Sequence, residues 1–572
     1  MRRVIFSIVL SLIVVSSAAS AKMTLSVQGL SGALEDNVDA RLSMINSNQV
    51  DDTPYFKRYL ESEIKKGLRA LGYYNPTFSY NIPENSNKLV VTVDPGKPIL
   101  IEQTDVNVTG DGENDPDYIN LLKNDLPKPG SVLNHGDYDS FKKKLQNLAL
   151  RKGYFDADMT KNQLAVSDSL HQAFWKIDFN TGERYKFGPV SFKETEIRQS
   201  YLRNIIPFKE GQPYTSEDIT LLNRRLSSTN WFSSVTVVPL FKDVNKDKEL
   251  PIYVITTPRK KNVVDVGLGY SSDNGFRGKL GWNKPWLNDR GHSLQTDFAL
   301  SSPEQTITGV YKIPLYESPL EDYYTIQGGY KKIDNNDTYS NSYTVGVIRN
   351  WDSFTGWQKA VGLNVMYDNF TQASDSYETF LLYPSFSISR VRADGKLSPL
   401  WGDSQRYSLE VAAESLASDI NFARFQMQQV WIRTIEERHR FVVRGNVGII
   451  QASDFDRVPP TFRFFAGGDR SIRGFGYQSI SPRDRDGKLK GASKLLTGSL
   501  EYQYNFSGAW WGALFVDSGE AIDKFDQTDF HTGAGFGVRW VSPIGPVKLD
   551  IASPVDKSKK SVHFYIGLGA EL

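Results

Sequence analysis

Two patterns of apolar and polar positions divide the chain. From Lys22 to about Asn262 the apolar residues follow helical and strand periods in turn, and the mixture recurs. A helical stretch at 64–71 runs into Gly72-Tyr73-Tyr74 and a strand-like segment at 77–80. A second at 141–150 runs into Gly153-Tyr154-Phe155, and a third at 221–227 into Asn230-Trp231-Phe232 and a strand at 235–238. Gly72, Gly153 and Asn230 fall where a helix end calls for a left-handed residue. Turns at 93–97 and 180–184 close the strands of the first two units. A period of roughly 80 residues predicts three copies of one small α/β module. Their boundaries are placed at 22–98, 99–185 and 186–262.

From Val263 to Leu572 the helical period disappears. Alternating segments of about 8 to 12 residues, roughly 16 in number, are separated by turn residues, the pattern of a transmembrane β-barrel. Phe441, Val443, Val447 and Ile449 take one face of a strand, with Val442, Arg444, Asn446 and Gly448 on the other. Leu500, Tyr502 and Tyr504 alternate with Glu501, Gln503 and Asn505. Val547, Leu549 and Ile551 alternate with Lys548 and Asp550. Apolar faces are expected to meet lipid and polar faces a wet interior, with Trp431, Trp510 and Trp511 as interfacial aromatics. The fold class predicted is α+β repeats followed by an all-β, 16-stranded barrel.

The first residues change the compartment. Arg2 and Arg3, an apolar run at 4–15 and Ala19-Ser20-Ala21 form a secretory signal peptide over 1–21. The chain has no cysteine, so disulfides are excluded as a source of stability. A formal net charge of +1 with interspersed signs gives no footprint for nucleic acid. The six histidines are scattered singly, and no metal site, cofactor motif, serine elbow or phosphate loop is legible. Catalysis finds no support in these residues.

Two features remain as candidate sites. About 40 residues around 451–494 lack a convincing strand, and loops that long are uncommon unless functional or disordered. This loop holds Gly467-Gly468-Asp469-Arg470-Ser471-Ile472-Arg473-Gly474-Phe475. Alternation turns Glu501 into the lumen and allows Asp517 the same on the next strand. A loop folded inward would bring Arg473 to one or both carboxylates, with Gly474 letting the backbone approach the wall and Phe475 beside it. The plainer alternative is a solvated surface loop. The second site is the barrel's closing seam. Gly267, Leu268 and Gly269 lie in the first strand, and Ile566, Gly567 and Gly569 in the last. Glycine weakens a strand and supplies no cross-strand packing, so this seam is either the easiest place to open or a place of curvature relief.

The segments at 467–475, Phe515-Val516-Asp517-Ser518-Gly519 and 537–546 together resemble the signature motifs of the outer-membrane assembly and secretion superfamily. Its members join periplasmic POTRA domains to a 16-stranded barrel. Three repeats are similar in number to the outer-membrane subunit of the translocation and assembly module. The resemblance implies an outer-membrane protein with POTRA domains in the periplasm, no cofactor and no enzymatic activity. It implies a TamB-like inner-membrane-anchored periplasmic partner, and unfolded outer-membrane or autotransporter proteins as clients. It also implies contact with outer-membrane lipid. The function implied is an insertase or translocase working through a lateral seam. The alternative is a channel or scaffold for phospholipid transfer between inner and outer membranes. The chain ends Gly569-Ala570-Glu571-Leu572, without the terminal aromatic common to such barrels.

Overall fold

The computed structural model describes residues 23–568 except 47–48, 85, 194, 274, 353–355, 396–397, 525–528, 543–544 and 556–560. The leader expected at 1–21 and the end at 569–572, with the candidate Gly569, lie outside the described residues.

The N-terminal part repeats strand–helix–helix–strand–strand three times. The first module is β1 (Thr24–Gln28), α1 (Ala33–Leu42), α2 (Pro54–Ala70), β2 (Thr77–Asn81) and β3 (Lys88–Asp94). The second is β4 (Leu100–Thr109), α3 (Pro116–Asp125), α4 (His135–Lys152), β5 (Asp158–Ser167) and β6 (Gln172–Asn180). The third is β7 (Lys186–Phe192), α5 (Gln199–Arg203), α6 (Ser216–Ser228), β8 (Phe232–Pro239) and β9 (Glu249–Pro258). In each sheet the module's last strand lies in the middle: β1-β3-β2, β4-β6-β5 and β7-β9-β8.

The local chemistry explains the longer helices. Thr53 caps α2 by accepting the Phe56 N–H at 3.2 Å, and Pro54 occupies the first turn. Phe56, Leu60, Ile64 and Leu68 recur at four-residue spacing and bury one face against Leu89, Val91 and Val93 of β3. After the longer helices, Gly72, Gly153 and Asn230 have φ of 89°, 84° and 60°. The first strand and shorter helix of each module escape the hydrophobic pattern. Helix α1 buries only Val38, and α5 has five residues.

The C-terminal part is a closed barrel of sixteen strands in chain order, from Val263–Ser271 to His563–Leu568. Leu500, Leu514 and Phe536 stand exposed on its outer face, while Glu501, Asp517 and Arg539 are buried within. That distribution, apolar outside and polar inside, is that of a transmembrane β-barrel. One expectation fails here. Trp510 is on the outer face, stacked on Trp540 at 5.8 Å between ring centroids. Its neighbour Trp511 is 7 % exposed and shares the inward parity of Ala513, Phe515 and Asp517, so it is not an interfacial aromatic.

Candidate functional site

The segment 453–493 joins the strands His439–Ala452 and Lys494–Ser507 and folds back into the barrel. Apolar burial holds its body there. Phe462, Phe464, Ala466, Ile472, Phe475 and Ile480 form one cluster with wall residues that include Leu381, Tyr383, Phe422 and Leu495. The segment also pairs with itself, Phe464 with Ala492 and Ala466 with Ile480.

Arg473 stands at the centre of the polar contacts and is 2 % exposed. Its Nε donates to Asp517 Oδ2 at 2.7 Å and its Nη2 to Asp517 Oδ1 at 2.9 Å, a two-pronged bond. Its backbone N–H donates to the same carboxylate at 3.0 Å. Nη1 reaches Glu501 Oε2 at 2.8 Å and Asp550 Oδ2 at 3.2 Å. The guanidinium lies 3.3 Å from the centroid of the Phe515 ring. Arg539 completes the set, donating from Nη2 to Glu501 Oε1 at 2.8 Å and from Nη1 to Asp550. Arg444 Nη2 stands 4.0 Å from Asp517. Glu501, Asp517 and Asp550 thus face Arg444, Arg473 and Arg539, three charges of each sign. Such balance offsets the desolvation cost that a lone buried ion would carry.

Backbone approach makes the cluster possible. Gly474 has φ of 96°, and a Cβ there would meet the Ser553 carbonyl carbon at 2.8 Å. A Cβ on Gly533, in the strand His531–Ser542, would lie 1.7 Å from the Arg473 carbonyl oxygen. Both glycines let the loop lie directly on the wall.

The same loop touches both edges of the seam. Tyr565, in the last strand, accepts the Gly474 N–H at 3.0 Å and donates its hydroxyl to the Phe475 carbonyl at 2.8 Å. On the other edge the Asp469 N–H donates to Asp273 Oδ2, in the first hairpin turn, at 2.7 Å. The seam itself is thinly paired. The first strand has nine register pairs with the second, Val263↔Asn283 to Ser271↔Gly275. Among the described residues it has one with the last strand, Ser271↔Gly567. A further bond runs from the Ile566 N–H to Ser272 Oγ at 2.7 Å.

The candidate residues therefore fall into two sets. Arg473, Gly474, Phe475, Glu501 and Asp517 are brought together at one place. Gly567 meets the first strand at Ser271, and Ile566 bonds Ser272 in the turn just beyond it, so neither meets Leu268. Gly267, Leu268 and Gly269 have no described partner on the last strand, and Leu268 is 84 % exposed. Alternation already turns Arg539 and Asp550 inward, so their place in the cluster had a sequence signal. Tyr565 and Asp273 had none, because their contacts span 90 and 196 residues of chain.

Below the loop lies a cavity of about 770 Å3, lined in part by Arg406, Gln428, Arg444, Arg470, Lys548 and Asp550. Among the described residues no group of three or more histidine, aspartate or glutamate side chains could hold a metal ion.

A family model described as the Omp85 superfamily domain matches residues 261–572. A POTRA domain model, TamA domain 1, matches 24–95, and a second POTRA model, the surface antigen variable number repeat, matches 185–263. The outer membrane protein assembly factor BamA of Nitratidesulfovibrio vulgaris is 23% identical over 371 residues, 61% of this chain and 46% of that protein. The same factor from Neisseria meningitidis serogroup B is 20% identical over 518 residues, 79% and 64% of the two chains. The chain thus spans less than two thirds of the length of either relative. The crystal structure of Haemophilus ducreyi BamA lacking POTRA domains 1–3 superposes with a TM-score of 0.67 at 17% identity. That superposition covers 82% of this chain and 99% of the other, and speaks for the fold alone.

Proposed function

The chain belongs to the Omp85 superfamily, and on that premise we propose that it assists the insertion or secretion of outer-membrane client proteins through its lateral seam. As a member it resides in the outer membrane with its POTRA domains in the periplasm.

The observation that carries the reading is the seam. Eight residues of the first strand, Val263 to Tyr270, have no described partner on one side, while nine pair on the other. An unpaired strand edge is a template for another strand. In lipid the need is sharper, since an unsatisfied backbone group costs several kcal/mol there. A client strand that adds to this edge satisfies those groups as it enters the bilayer. The POTRA sheets can receive an extended client earlier by the same edge-pairing chemistry.

Two finer parts belong to the same proposal. Autotransporter-like proteins are the client class, and a TamB-like inner-membrane-anchored protein is the partner. The match of residues 24–95 to the first POTRA domain of TamA supports both. The Arg473 cluster serves as a lock that holds the loop and wall strands in one arrangement, with Gly267, Leu268, Gly269, Ile566 and Gly567 on the seam strands. The test is a cysteine pair at Ser271 and Gly567, which the register places opposite one another. Client assembly is followed with the seam closed and then reduced. Phospholipid transfer, measured in the same cells, tests the alternative cargo.

A further inference from the structure

A second polar cluster lies on the outside of the barrel, away from the seam and from the loop. Arg390 and Arg392 close the strand Asp375–Ala393, Asp403 opens Trp401–Ala412, and Arg433 closes Phe422–Ile435. The barrel's first strand starts at the periplasmic end and the hairpins alternate, so all four lie near that end. Their register gives Arg392↔Asp403, Arg390↔Gln405 and Trp401↔Arg433. Phe386, Leu409 and Phe425, of the same parity, are exposed apolar side chains. The cluster therefore faces the membrane.

A charged group on this face needs a reason. Asp403 is 0 % exposed, and Arg392 binds it from Nη2 at 2.7 Å and Nε at 3.2 Å. That pair is complete in itself. Yet Arg433 Nη2 stands 3.7 Å and Arg390 Nη2 4.0 Å from the same carboxylate. Three guanidinium groups around one carboxylate leave a charge of +2. The side chains of Arg392 and Arg433 stay 43% and 45% exposed. Within the cluster Arg390 Nε is buried and unpaired, as are both amide atoms of Gln429, a residue 3 % exposed. The positive stripe continues around the barrel through Lys359 and Arg349 on the same outer face.

The aromatic setting fixes the depth. The Arg390 guanidinium lies 4.4 Å from the Trp357 ring centroid, and Arg433 and Arg392 lie 4.9 and 5.4 Å from that of Trp401. Tryptophan on the lipid face settles at the level of the headgroups. We propose that this rim binds the phosphate headgroup of an anionic phospholipid in the inner leaflet of the outer membrane. Arg392 and Arg433 are the donors, and Trp357 and Trp401 flank the acyl–headgroup boundary. This site stands independently of the seam: it could bind lipid whether or not the seam opens.

The experiment uses the full chain in detergent with equal amounts of phosphatidylglycerol and phosphatidylcholine, and native mass spectrometry of the lipid retained. The wild type is expected to prefer phosphatidylglycerol. R392Q/R433Q should lose that preference by roughly fivefold for each arginine removed. Asp403→Asn, which removes the one negative charge, should keep or raise it. If the double variant fails the heat-shift test for a folded barrel, Arg433→Gln alone leaves the Arg392–Asp403 pair intact and should show about half the effect on a logarithmic scale. Excess inorganic phosphate should not strip the lipid. No preference in the wild type overturns the proposal. So does an equal loss in Asp403→Asn, which would mark a structural ion pair, or displacement by inorganic phosphate, which would mark a site for a free anion.

Discussion

Arg473 and Asp517 are joined by three hydrogen bonds, at 2.7, 2.9 and 3.0 Å, the last from the arginine's own backbone N–H. The side-chain fork alone would tie a flexible arm to the wall. The backbone bond places the loop itself there, and Phe515 closes the other face of the guanidinium. Breaking such a pair from one side leaves a buried charge without its partner, at a cost of about 3–5 kcal/mol. Asp517→Asn should therefore lower the unfolding temperature of the barrel and expose 466–480 to protease. Arg473→Lys should do much the same, because an ammonium group cannot reproduce the planar fork. A protease pattern unchanged from wild type in both variants would contradict this.

Gly533 tests the backbone approach separately from charge. A methyl group at this position would lie 1.7 Å from the Arg473 carbonyl oxygen, so loop or wall must move. Overpacking of this kind costs about 1–3 kcal/mol. Gly533→Ala should weaken loop docking while every charged residue stays in place, read as faster hydrogen exchange over 468–476.

Tyr565→Phe removes one hydroxyl and two bonds, from the Gly474 N–H and to the Phe475 carbonyl. Both groups are then left buried and unpaired, a loss of about 1–3 kcal/mol. Exchange should quicken in the last strand, 563–568, and in the loop together. Quickening in the loop alone would show that the tyrosine does not anchor the strand.

Asp273 gives the loop a pH dependence. Burial is the first cause that lifts its carboxyl to about 7; the charge of Asp469 adds to this, while the Asp469 N–H and Arg470 oppose it. Tyr477 also lies in this electrostatic neighbourhood. With the loop undocked the group returns to the ordinary carboxylate value of about 4. The docked form thus holds the extra proton between these values, and docking weakens as pH rises from about 4 to about 7, then levels off. Protection over 466–475, taken relative to the intrinsic amide exchange rate at each pH, should be greater at the acid end of this range than above it. Asp273→Asn should flatten the profile, and a flat profile in the wild type would contradict the account.

Much of this architecture is legible in the sequence. Strand alternation places Glu501 and Asp550 inside and Leu500 and Leu549 outside, because a half-buried strand has a period of two. The helix ends at Gly72, Gly153 and Asn230 announced themselves by residue type. What failed did so for physical reasons. Trp511 was read by its side chain, an amphipathic ring suited to an interface, although alternation with Trp510 puts it in the lumen. The partners of Arg473 beyond Glu501 and Asp517 depend on which distant strands adjoin, and local pattern carries no such information. Register at the seam was unreadable for the same reason. Ser271 meets Gly567, so Leu268 and Ile566 do not face each other across it.

The measurement that tests the central claim most directly is client assembly in cells carrying the Ser271→Cys and Gly567→Cys pair. The chain has no native cysteine, so any intramolecular disulfide reports this seam alone. Loss of assembly with the seam crosslinked, restored by reduction, is the result the account predicts. Full assembly with the crosslink verified in the same cells would contradict it.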